Sequence, residues 1–244
     1  MRVAIYGRSG SGKTTLASTF PAPLLLDINQ EEGTDSVADV KDLKVLSIDE
    51  WDDIEQTYWY LAETKHGFKT VIVDTVTQMQ ELAIGEVSGR KKVKAEKFGG
   101  WGTLTRQEWG DAAGMMKVWI THFRNLPFNV VFLAQERVFG GGDEADDAEG
   151  QIAPEVGPRL MPSVRSTLDA SVDIIGNSFI RSSVRQSRTN GKITQVRRMQ
   201  YCLRVGPHVS YITKVRKPKG IEAPAFLIDP TYEDLLELRT GEEG

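Results

Sequence analysis

Gly7-Arg8-Ser9-Gly10-Ser11-Gly12-Lys13-Thr14 fits the pattern G-x-x-x-x-G-K-[ST] at every specified position. The flanks suit it. Arg2-Val3-Ala4-Ile5-Tyr6 reads as a short buried strand, and Lys13-Thr14-Thr15-Leu16-Ala17-Ser18 reads as the helix that follows. Glycines in such a turn let the backbone wrap close to an anion, and the N–H groups opening the helix point at it. Residues 7 to 15 (Gly7, Arg8, Ser9, Gly10, Ser11, Gly12, Lys13, Thr14 and Thr15) therefore read as a cradle for ATP. Lys13 would reach the β- and γ-phosphates, and the Thr14 hydroxyl would bind Mg²⁺.

The rest of the chain alternates. Apolar runs at 23–27, 45–48, 70–74 and 129–134 read as buried strands, and 49–64, 76–87 and 105–125 as helices. Trp51, Trp59, Trp109 and Trp119 fall in those helices, where packing is their ordinary use. Strand–helix alternation predicts an α/β fold whose mostly parallel sheet is covered on both faces. Beyond Ala134 the character changes. An acidic stretch from Asp143 to Glu149 precedes apparent strands at 172–175, 179–186, 193–205 and 209–215, and a helix at 232–238 ends the series. Asn190-Gly191 between two of them is a hairpin signal. The reading is one domain over 1–244, with a nucleotide-binding core at 1–135 and antiparallel strands added in 136–244.

Composition narrows the class. Of 244 residues, 40% are hydrophobic and 26% charged, values of a globular protein able to bury a sizeable core. Cys202 is the only cysteine, which excludes an intrachain disulfide and a cysteine metal cluster. Together with the lack of a leader-like or membrane-spanning run, this sets the expectation of a cytoplasmic protein with no membrane partner. A net charge of −4 argues against a uniformly basic nucleic-acid binder, so any such surface must be local.

Further chemistry is expected at strand ends. Asp74 closes Val71-Ile72-Val73-Asp74 and reads as the carboxylate that orders the shell of Mg²⁺ beside Thr14, with Asp27 a rival at the end of an equally apolar strand. Glu31 and Glu32 are candidates for activating water, and Gln135 for sensing the γ-phosphate.

These features resemble the RecA-like ATPase core, in particular the compact phage-encoded ATPases of recombination and single-strand annealing. The likeness rests on the phosphate loop, Leu25-Leu26-Asp27 with Glu31-Glu32-Gly33-Thr34, Val71 to Thr75, and Gln107-Glu108-Trp109-Gly110. Pro154 to Pro158, Val172 to Gly176 and Lys214-Val215-Arg216-Lys217 extend it. The resemblance implies that Lys214 and Arg216 act in trans on a neighbouring subunit's γ-phosphate in a ring or filament. Implied partners are other copies of the chain, single-stranded DNA and a single-strand-binding protein. One departure stands out: Asn29 occupies the position two residues after Asp27 where the family pattern usually carries its catalytic glutamate.

Two segments suit a nucleic-acid strand. Arg90, Lys91, Lys92, Lys94 and Lys97 are interleaved with Phe98 and Trp101, joining phosphate neutralisation to base stacking. The segment from Arg181 to Arg198, with Arg185 and Arg188, carries no acidic residue. Both also read as solvated basic surface. The favoured expectation is a DNA-stimulated ATPase. A P-loop nucleoside or nucleotide kinase, with the hairpin arginines as a lid, and a nucleotide-gated assembly factor of little turnover remain open.

Overall fold

The phosphate-loop strand lies in the middle of the sheet, and its burial organises everything else. The computed structural model describes residues 1–29, 37, 39–89, 105–140, 154–189 and 192–241. In chain order the elements are β1 (Arg2–Gly7), α1 (Lys13–Ser18), β2 (Pro23–Ile28), β3 (Lys44–Ile48), α2 (Trp51–Glu63), β4 (Thr70–Asp74), α3 (Val76–Val87) and α4 (Arg106–Arg124). They continue with β5 (Asn129–Phe139), β6 (Glu155–Pro158), α5 (Pro162–Ser171), β7 (Ile174–Thr189), β8 (Lys192–Arg204), β9 (Lys214–Val215), β10 (Phe226–Ile228) and α6 (Tyr232–Thr240).

The strand order is β10-β8-β7-β1-β5-β4-β2-β3, with β6 added to β5 and β9 to β7. From β7 to β3 the neighbours run parallel, whereas β8 and β10 are antiparallel additions. The expected α/β fold, a mostly parallel sheet with antiparallel strands late in the chain, is the fold observed. Side chains alternate across it with period two. Ala4, Tyr6, Leu24, Leu26, Val71, Val73, Val130 and Phe132 face the core shared with α2, α3, α4 and α5. Val3, Ile5, Leu25, Ile72, Val131 and Leu133 face the core shared with α1 and α6. Parallel strands need both faces covered, and these near-continuous apolar runs are the consequence.

Three details depart from the sequence reading. The runs 172–175 and 179–186 are one strand, β7, because Gly176 does not interrupt it. A Cβ there would stand 2.7 Å from Leu203, so glycine gives β8 room to lie close. The strand expected at 209–215 shrinks to Lys214–Val215, since Val209 is 93% exposed and has no sheet face to fill. β6, α5 and β10 have no counterpart in the sequence reading. α5 starts with Pro162 at its first turn but is rich in Ser, Thr and Val, poor helix formers. Burial of Val164 and Leu168 is what holds it. Of the four helical tryptophans, Trp51 and Trp119 meet edge-to-face in the core at 6.2 Å, while Trp59 and Trp109 are exposed. Among the described residues, no helix is long and apolar enough to cross a membrane.

Phe123 is fully buried on α4 against Tyr58 and Trp119. Phe123→Ala is expected to lower the unfolding free energy by about 3–5 kcal/mol in a urea titration. Val118→Ala on the exposed side of the same helix is expected to stay within about 0.5 kcal/mol.

Candidate nucleotide site

β1 ends at Gly7, which pairs with Gln135 of β5 and Ser178 of β7. The loop that follows therefore leaves the carboxyl edge of the sheet between two fixed strands, the usual place for a ligand in a parallel sheet. The fit at Gly7 is close: a Cβ would stand 2.3 Å from the Ser178 carbonyl oxygen. Gly12 caps α1 in the left-handed region at φ 89°, a conformation that glycine adopts without steric cost. Ser178 Oγ donates to the Ser11 carbonyl oxygen at 2.6 Å and ties the loop to β7. Lys13 Nζ folds back over the loop, donating to the carbonyl oxygens of Gly7 at 3.1 Å and Arg8 at 2.9 Å.

Thr14 Oγ1 donates to Asp74 Oδ2 at 2.9 Å, so the two residues read as metal partners meet across sixty positions of sequence. A hydroxyl and a carboxylate are hard oxygen donors, and a pair of them beside phosphates is what Mg²⁺ uses. The residues therefore fit the ion. Asp27 is the register partner of Asp74. It lies two residues beyond Leu25, as Asp74 lies two beyond Ile72, and both apolar residues face the α1 core. Alternation puts both carboxylates on the α1 side of the sheet.

Asn29, just past β2, takes the left-handed conformation (φ 60°), and its Nδ2 donates to Gln78 Oε1 at 3.3 Å. An amide there holds the turn to the start of α3 and has no basic oxygen for a proton. Gln135 lies beside Gly7 at the same edge. Its carbonyl oxygen accepts from Arg159 N at 2.7 Å, and its Oε1 accepts from Arg159 Nη1 at 3.4 Å. Sequence reading missed a cluster beside it. Glu136 accepts from Arg8 Nε at 2.9 Å and from Asn177 Nδ2 at 3.3 Å, and Asn177 Oδ1 accepts from Arg204 Nη1 at 3.0 Å. Glu136 carries the faint signal of following Gln135. Asn177, Ser178 and Arg204 carry none, because only strand pairing brings them to the loop.

Lys214 and Arg216 are not brought to this loop within the chain. β9 pairs with Ile174 and Ile175, at the amino end of β7, about 13 Å along the strand from Ser178. There Lys214 Nζ donates to the Asp169 carbonyl oxygen, and Arg216 Nη2 donates to that of Ala170 at 2.7 Å. Both cations thus serve the carboxyl end of α5, which favours positive charge. Glu31, Glu32, Arg90, Lys91, Lys92, Lys94, Lys97, Phe98 and Trp101, like the acidic stretch Asp143 to Glu149, lie outside the described residues. Arg185 and Arg188 belong to β7 in the β7–β8 hairpin.

Burial pushes the Asp169 carboxyl up to about 6, against the pull of Arg165 and Lys214, and its Oδ1 has no hydrogen-bond partner among the described residues. The folded chain therefore holds this proton more tightly than the unfolded chain, and stability falls as pH rises from 3.8 to about 6. Asp169→Asn is expected to stabilise the fold by about 1 kcal/mol at pH 7. In denaturation at stepped pH, that gain should vanish below the ordinary carboxylate value of 3.8.

Comparison with known proteins agrees with this geometry. A family model described as an AAA domain, AAA_24, matches residues 1–216. No curated protein matches the chain. Among solved structures, the flagellar accessory protein FlaH from Methanocaldococcus jannaschii aligns over 94% of this chain and 89% of that one. Its TM-score of 0.37 and identity of 8% are too low to carry an argument. With a central strand, phosphate loop and Thr14–Asp74 pair in place, and the family model spanning most of its length, the chain belongs to the AAA domain family AAA_24.

Proposed function

We propose that the chain hydrolyses ATP with Mg²⁺ and acts on single-stranded DNA in recombination or annealing of the phage type. In this reading it works in the host cytoplasm, as a ring or filament with nucleotide at subunit interfaces. The observation that carries the nucleotide half is the meeting of Thr14 and Asp74 beside a complete phosphate loop. Lys13 would leave the Gly7 and Arg8 carbonyls for the β- and γ-phosphates, and Gln135, one strand away, would report on the γ-phosphate. Mg²⁺ supplies charge neutralisation between the phosphates when bound.

The DNA half rests on the β7–β8 hairpin. Its strands stay paired from Ser178–Leu203 to Thr189–Lys192, whereas β1 accompanies β7 only as far as Ser178. From Ile180 onward a two-stranded ribbon of roughly 33 Å continues from the same edge that carries the phosphate loop. Its sequence holds Arg181, Arg185, Arg188, Lys192, Arg197 and Arg198, with no carboxylate among them. Such a ribbon follows a phosphate backbone by charge. Lys214 and Arg216 would reach a neighbour's nucleotide only from the far end of the sheet, after giving up their contacts with α5. A nucleotide-gated assembly factor with slow turnover keeps support from Asn29, which offers no base where the family pattern expects one.

Steady-state hydrolysis of MgATP with and without single-stranded DNA tests the whole reading, stimulation by the strand being the expected result. Lys13→Ala is expected to weaken MgATP binding about a hundredfold through loss of a charged donor, and unchanged affinity would remove the nucleotide site. Arg185→Ala with Arg188→Ala should lower DNA affinity and reduce the slope of log affinity against log salt by about 2. An unaltered slope would take the hairpin out of the DNA contact.

A further inference from the structure

A cavity of about 280 Å³ opens beside the phosphate loop, close to the lower bound of small-molecule sites at about 300 Å³. Its walls come from two halves of the chain: Gly12, Thr15 and Leu16 from the loop and α1, and Tyr201, Leu203 and Asp229 from β8 and the β10–α6 connection. Gly12 and Thr15 are also cradle residues, so the cavity begins where the phosphates of a bound nucleotide would end.

Its chemistry is specific. Leu16 and Leu203 are buried and make an apolar floor. Tyr201 is 47% exposed, yet its ring rests on the loop: a Cβ on Gly12 would stand 2.8 Å from Tyr201 Cδ1. The residue is held at its backbone, where Tyr201 N donates to Asp229 Oδ1 at 3.0 Å and Asp229 N donates back to the Tyr201 carbonyl oxygen at 2.6 Å. Asp229 adopts φ 45° to close this ring, a positive φ that aspartate tolerates better than most residues. An exposed aromatic ring beside an apolar floor, with a carboxylate at the rim whose Oδ2 lies 3.9 Å from Arg198 Nη2, suits a heterocyclic base with hydrogen-bond donors.

Resting on the nucleotide reading above, we infer that this cavity receives the nucleoside of the bound nucleoside triphosphate. Tyr201 is the stacking platform and the Asp229 carboxylate the acceptor for the nucleoside's N–H or O–H donors. Affinity for the whole nucleotide then divides between the loop, which reads phosphate, and Tyr201, which reads the base.

Calorimetric titration of the full chain with MgATP and with Mg²⁺–inorganic triphosphate separates the two. Tyr201→Leu keeps apolar bulk over Gly12 but loses the π-face, and Tyr201→Phe keeps the face. Tyr201→Leu is expected to weaken ATP about tenfold and leave triphosphate unchanged, with Tyr201→Phe close to the wild type for both. Thermal melts matching the wild type establish that the variants are folded. Unchanged ATP affinity in Tyr201→Leu, or equal losses for ATP and triphosphate, overturns the base platform while leaving the phosphate loop intact. Failure of the wild type to bind either ligand overturns both readings.

Discussion

Everything at the site depends on β1 being buried between two parallel neighbours. Val3, Ala4, Ile5 and Tyr6 are almost fully enclosed, and Gly7 is the last residue paired on both sides. A strand held along both edges cannot shift register without turning its apolar side chains to the wrong core. The loop after Gly7 therefore starts from a fixed point and direction. The contact of Gly7 with the Ser178 carbonyl and the bond from Ser178 to Ser11 continue that constraint into the loop. A phosphate cradle needs this rigidity, since its binding groups are backbone N–H donors set only by the chain's path.

The site grows outward from that anchor along the carboxyl edge. α1 takes the loop onto one face, where Asp74 meets Thr14 and Asp27 stands one strand further on. β5 puts Gln135 and Glu136 on one side of the loop, and β7 puts Asn177 and Ser178 on the other. The antiparallel strands then contribute Tyr201 and Arg204. The late part of the chain is thus more than decoration on the core. It ties down the phosphate loop through Ser178 and lays the Tyr201 ring against Gly12, and the same two strands carry the basic hairpin away from it.

The opposite edge has its own electrostatic logic. Lys214 and Arg216 cover the carboxyl end of α5, Arg216 also pairs with Asp173 at 3.7 Å, and the Asp173 carboxylate accepts from Arg2 N at 2.9 Å. These contacts fasten α5 and β9 to the start of β1. A Lys-x-Arg pair on a late strand thus has a local task in this chain, whatever it does between subunits.

Much was legible in the sequence wherever the signal was local. The octet from Gly7 to Thr14, the strand ending at Asp74 and the apolar alternation of the first 135 residues determine an α/β nucleotide-binding core, because each depends on neighbours within a few positions. The pairing of β7 with β8, signalled by the dipeptide Asn190-Gly191, was legible for the same reason. β6, α5 and β10 were not, since their residues have weak propensities and are held by burial or by strand pairing. Nor was the cluster of Glu136, Asn177 and Arg204, or the pairing of Tyr201 with Asp229. Those residues lie tens of positions apart, and strand order alone decides that they share one edge. The sequence by itself determined that this protein has a phosphate loop; only the tertiary structure decided which side chains surround it, because hydrogen-bond register between distant strands is a property of the folded sheet.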